Sequence, residues 1–202
     1  MGARDGSVTS DLFTPDLLWH AMMGIALAAA AGFRIFVPML VLSIAAVTGE
    51  VELAGSLAWI GTVPALVVFA VATVVEIAAY YVPWVDNALD WLGAPLAVTA
   101  GTLLAASTLG DADPLLRWVL AVVGGGVAGT IHGGLAVVRK LSSLATGGLG
   151  NPVLATGEAG GSLAVSLLAL ALPLVALLLL AVALAFLLRR ARRRRTGLAA
   201  QL

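Results

Sequence analysis

"AAAAGFRIFVPML", residues 28–40, sets an arginine four positions ahead of a proline inside the first long apolar run of the chain. Pro38 has no N–H, and its ring crowds the carbonyl four residues back, which belongs to Arg34; a helix through this stretch is expected to kink or open there. Gly32 loosens the same turn. A guanidinium at mid-bilayer costs roughly 2.5–3.5 kcal/mol on the lowest scales, so Arg34 requires an acid, backbone carbonyls or water. The run reads as a transmembrane helix broken at a polar residue, with two uses open. Arg34 is either part of a binding site beside opened backbone or a clamp pairing with Glu76 or Glu158.

Composition supports the membrane reading. The chain has 202 residues, 61% hydrophobic and 11% charged, where soluble domains carry about a quarter charged. One transmembrane domain is expected over 17–188, between a polar tail at 1–16 and a basic tail at 189–202. The tail at 1–16 lacks a secretory cleavage pattern. The net charge of zero hides an asymmetry: six of eleven basic residues lie between Arg189 and Arg195, and every acid precedes residue 159. Basic residues beside a span stay cytoplasmic, which places the C-terminus inside. The cluster Arg189–Arg195 suits anionic lipid head groups rather than nucleic acid, which is not expected as a partner. The chain has no cysteine, which excludes disulfides and thiolate metal sites. No cofactor or metal is expected.

About 20 apolar residues cross a hydrocarbon core as a helix. Five segments qualify, 17–47, 57–80, 94–109, 115–138 and 162–188, so the expectation is an all-α polytopic transmembrane helical bundle of about five spans with broken or re-entrant segments. The third segment is short, which leaves four or six crossings open. Trp19, Trp59 and Trp118 fall at expected helix starts and Trp84 and Trp91 in a connection, as interfacial rings should. That connection, "YYVPWVDNALDWLGAP", reads as a short interfacial helix started by Pro83. Asp86 and Asp90 stand one turn apart on its polar face, either sharing a cation or simply solvated.

In the fourth segment Ala121, Gly125, Gly129 and Gly133 recur every four residues, a small face that lets another backbone approach and predicts a central helix. "TGEVELAGSLAW" from Thr48 aligns with "TGEAGGSLAV" from Thr156, raising an inverted two-helix repeat as one reading. In that reading each unit holds a break, the first at Arg34 and Pro38, the second in the Gly-rich 139–160 with Asn151 and Pro152. A plain exposed loop is the alternative for the second.

Of the remaining intramembrane polar residues, Glu76 is either a proton-carrying carboxyl or a helix-end carboxylate. His132 lies close to the small face, where a buried, hydrogen-bonded imidazole is expected; His20 is expected at the interface. Glu158 is a third. Catalytic motifs of the H-E-x-x-H, G-x-S-x-G, Walker A or G-x-G-x-x-G kinds are missing, so no enzyme is expected.

Three stretches, "ALAAAAGFRIFVPMLVLSIAA", "VVEIAAYYVPWVDNALDWLGAPLAVTAGTLLAAS" and "AGTIHGGLAVVRKLSSLATGGLGNPVLATGEAGGSL", resemble the small bacterial membrane proteins of the DUF4126 family over most of the chain. The resemblance implies a multi-spanning bacterial inner-membrane protein. It matches the family's recurring polar positions to Gly32, Arg34 and Pro38, to Glu76, Pro83 and Asp86, to His132, and to Pro152 with Glu158. "ATGGLGNPV" departs from the family's Ser- or Asn-rich segment. No activity follows from it.

The functional expectation is a transporter or channel-like protein passing a small solute or ion through a polar site of Arg34, Glu76, Asp86, His132, Asn151 and Glu158. The alternative is a non-transporting structural or assembly protein whose charges are helix clamps and whose Gly face mates with a partner, such as a second copy; an intramembrane enzyme is a third reading.

Overall fold

A computed structural model describes residues 14–199 apart from positions 82 and 111, with side chains at 83–91, 187–188 and 190–199 outside the described set. Residues 1–13 of the tail expected at 1–16, the side chains of Trp84, Asp86, Asp90 and Trp91, and most of the terminal arginines therefore lie outside the described residues; Arg189 is exposed. Among the described residues the chain is all helix: α1 Pro15–Phe33, α2 Phe36–Val47, a 3-10 segment Gly55–Gly61, α3 Val63–Ala79, α4 Pro83–Ser107, α5 Pro114–Thr146, α6 Asn151–Ala171 and α7 Pro173–Ala199.

The first expected span is two helices. Arg34, between them, is extended (φ −144°, ψ 129°), and Pro38 falls in the first turn of α2, where a missing N–H leaves no intrahelical bond unmade. Proline chemistry predicted the position; the outcome is a full break rather than a kink.

Four other boundaries differ from expectation. Pro83 does start a helix, but α4 runs without interruption to Ser107, so the interfacial helix and the third span are one element. α5 continues past residue 138 to Thr146 and absorbs the first part of the supposed second break. The turn that follows has Gly147 and Gly148 left-handed (φ 62° and 90°), a conformation glycine adopts at no steric cost. Pro152 sits in the first turn of α6 and starts that helix instead of breaking a span. The actual break in the last segment lies at Leu172 (φ −148°, ψ 69°), just ahead of Pro173. The two TGE segments have unlike settings: Thr48–Glu50 caps and follows α2 and is exposed, whereas Thr156–Glu158 is helical within α6.

α1, α5 and α6 are long and apolar enough to cross a membrane, and the 3-10 segment with α3, bent by 63°, makes a fourth candidate; α2, 92–107 and 173–186 are shorter apolar helices. The centre is α1, not the glycine-rich α5. α1 packs against α4, α5, α6 and α7, and half of its span is buried against 28% for α5 and for α6. The reason is steric: Ala26 and Ala28–Ala31 with Gly24 and Gly32 keep bulk off most of the helix surface, and all are buried. A Cβ on Gly32 would stand 2.6 Å from Ile131 Cβ and 2.8 Å from the Ala128 carbonyl oxygen, both on α5.

α5 uses its small residues against α4, where Cβ atoms built on Gly101 and Gly124 would each reach 2.6 Å from the other's carbonyl oxygen. Gly125 and Gly129 also face α4. Gly133 does not, since a Cβ there would meet open space; the inward stripe passes through Ala128 to His132. The outside of the bundle is apolar, with Val67, Val71, Val74, Leu163, Leu167 and Leu178 all more than 45% exposed, a surface suited to lipid contact. Trp19, Trp59 and Trp118 are exposed too. This is a membrane protein built as a helical bundle.

Candidate functional site

Breaking a helix inside an apolar bundle frees backbone donors and acceptors that lipid cannot satisfy. Here side chains from two other helices take them. The Glu76 carboxylate accepts from the Ile35 N–H at 2.8 Å with one oxygen and from the Phe36 N–H at 3.0 Å with the other. Across the break, the Ser162 hydroxyl donates to the Ala30 carbonyl at 2.9 Å and lies 3.4 Å from the Arg34 carbonyl. The Arg34 N–H itself returns to the Ala30 carbonyl at 3.2 Å.

The register of each helix explains the convergence. On α3 the buried positions are Ala65, Phe69, Thr73 and Glu76, with Tyr80 capping the end; on α6 they are Ala155, Glu158, Ser162, Ser166 and Ala169. Steps of three and four put each set on one face. On α5, His132 and Arg139 stand two turns apart and are both buried.

These faces meet around Arg34, which is 1% exposed. Its Nη2 donates to the Ala155 carbonyl at 2.9 Å and lies 3.4 Å from Glu158 Oε2. The same oxygen takes Arg139 Nη1 at 3.3 Å. The Tyr80 ring lies under both guanidinium groups, with its centroid 3.7 Å from Arg34 Cζ and 5.0 Å from that of Arg139, inside cation–π range. Arg34 thus pairs with one of the two acids expected, Glu158, while Glu76 caps backbone.

Several donors and acceptors in this region remain without a hydrogen-bond partner: Arg34 Nε and Nη1, Thr73 Oγ1 and His132 Nε2, all buried. His132 is walled by Gly93 of α4, where a Cβ would stand 2.5 Å from Nε2. No group of three or more metal-ligating side chains occurs among the described residues.

Of the expected site residues, Arg34, Glu76 and Glu158 are drawn together and His132 borders them. Asn151 is elsewhere, exchanging hydrogen bonds with Ser143 near the α5–α6 turn. Asp86 is outside the described side chains. His20 sits at the start of α1 with Nδ1 2.7 Å from the Asp16 carbonyl. Tyr80, Arg139 and Ser162 are additions. Arg139 has a readable signal, because it continues the His132 face by two turns; a span ending at 138 leaves it in the segment 139–160, expected as a break or an exposed loop. Ser162 has none, since a serine in an apolar helix most often bonds its own preceding turn.

A family model described as "Domain of unknown function (DUF4126)" matches residues 21–193. No curated protein and no solved structure matches the chain.

Proposed function

The chain belongs to the DUF4126 family, and on the geometry of its broken helix we propose that it binds and passes a small solute or ion through the membrane at the Arg34 break. The observation that carries this is Arg34 itself, a fully buried cation with two guanidinium nitrogens, Nε and Nη1, lacking partners. Unpaired buried donors cost about 1–3 kcal/mol each, more for charged groups, a cost accepted mainly where function requires it. Discontinuous helices in transporters place half-helix ends around a solute in the same manner. In this reading the structure is a closed state, without enzymatic chemistry, in the bacterial inner membrane with the Arg189–Arg195 tail cytoplasmic.

A second reading has its own support: the backbone groups freed at the break are already taken by Glu76 and Ser162, and Glu158 joins two arginines. In that reading the cluster is a clamp and nothing passes. A thermal-shift screen of inorganic ions, amino acids, carboxylates and sugars on the protein in nanodiscs separates the two, with Arg34→Ala in parallel. A solute that stabilises the wild type and not the variant, and that proteoliposomes then take up, supports passage. If no solute distinguishes the two proteins, the clamp stands.

A further inference from the structure

Two successive amides held by the two oxygens of one carboxylate are the arrangement in which a helix N-terminus binds a free planar oxyanion. At the start of α2 the carboxylate comes from Glu76, forty residues away in sequence; α2 itself has no side-chain cap and no acid in its first turn. Beside that seat stands Arg34, 1% exposed, with Nε and Nη1 unpartnered. Its charge acts on the Glu76 carboxylate.

We propose that the α2 N-terminus is an anion seat occupied by Glu76, which yields it to a small planar monoanion of carboxylate shape when Glu76 takes up a proton. This rests on the solute-passing reading above and names the class of solute. The exchange balances: one proton from water converts the Glu76 carboxylate to a neutral carboxyl, one anion arrives on the Ile35 and Phe36 amides, and the buried charge is unchanged. Without the proton, the anion would add an uncompensated charge to a low-dielectric interior, which is prohibitive. The cargo therefore moves with one proton.

The neighbours of Glu76 define what else titrates. α2 and the 3-10 segment, which pack on α3, hold no ionisable residue. Arg34 at the break between α1 and α2 and Arg139 of α5 are the cations that act on it; Tyr80, His132 and Glu158 complete the cluster, and Asp86 and Asp90 of α4 are outside the described side chains. Of the groups described in this cluster, His132 is the one whose ordinary pKa lies between 5 and 8.

The probe is nitrate, planar and fully ionised throughout that range. The full chain in nanodiscs is titrated by calorimetry between pH 5 and pH 8, at constant ionic strength set with methanesulfonate. The expected result is a Kd for nitrate that weakens with rising pH, approaching tenfold per unit, with one proton taken up per nitrate in weakly buffered solution. Glu76→Gln should bind nitrate with a Kd that no longer changes with pH, and acetate at pH 7 should compete with nitrate on the wild type. Binding without proton uptake overturns the exchange, as does a Glu76→Gln protein that keeps the wild-type pH profile, which would assign the proton to His132. Failure of acetate to compete overturns the carboxylate shape. If Glu76→Gln does not fold, the proton count is compared between the wild type and His132→Gln: an unchanged count supports Glu76, and a lost one overturns the exchange. A neutral or cationic solute that binds through Arg34 while nitrate does not overturns the anion seat and leaves the solute-passing reading; no binder of any class ends both.

Discussion

Glu158→Gln removes the charge from the carboxylate that two buried guanidinium groups share. Its Oε2 is 3.4 Å from Arg34 Nη2 and 3.3 Å from Arg139 Nη1, separations at which a unit charge pair is worth about 5 kcal/mol at an effective dielectric of about 20. Most of that offsets desolvation, and deleting one partner of a buried pair costs about 3–5 kcal/mol. Glutamine keeps the volume and one acceptor oxygen, so the lower end, about 3 kcal/mol, is expected. The five tryptophans provide a fluorescence signal for equilibrium unfolding in mixed micelles. The same measurement on Arg34→Met, alone and combined with Glu158→Gln, closes a double-mutant cycle whose coupling should be about 1–3 kcal/mol. A Glu158→Gln protein within about 0.5 kcal/mol of wild type, with additive effects in the cycle, would refute the shared-carboxylate account.

The same unfolding assay checks the rest. Glu76→Ala strips the acceptor from both the Ile35 and Phe36 amides and should cost about 2–6 kcal/mol, at about 1–3 for each orphaned group; Glu76→Gln, which retains one acceptor, should lose about half as much. Ser162→Ala, which leaves the Ala30 carbonyl unbonded by a hydroxyl, should cost about 1–2 kcal/mol. Gly32→Ala drives a methyl against Ile131 and the Ala128 carbonyl and should destabilise by about 1–3 kcal/mol. Gly133→Ala, with open space around its Cβ, should be neutral or stabilise by up to about 1 kcal/mol through helix propensity; equal losses at the two glycines would contradict the packing described.

Membrane residence and helical architecture were legible in composition, because hydrocarbon leaves backbone polar groups only a helix or a closed barrel to satisfy them. The break at Arg34 was legible as well, since it follows from a proline ring and the carbonyl four residues before it, both local. Helix ends were less so. α5 extends past residue 138 through Arg139, a charge it can carry because Arg139 is paired within the bundle with Glu158 rather than left to lipid.

Arg34, Glu76, His132 and Glu158 stood out in the sequence by their cost in lipid, and that cost is a property of each residue alone. Their division of labour is not. Whether Glu76 meets a guanidinium or a backbone amide, and whether Glu158 serves one arginine or both, depends on how three helices rotate about their axes, which is decided by the packing of α5 and α6 against the alanine surface of α1 and of α3 against α2. A few ångströms of register separate a salt bridge from a helix cap, and only the tertiary structure sets that register.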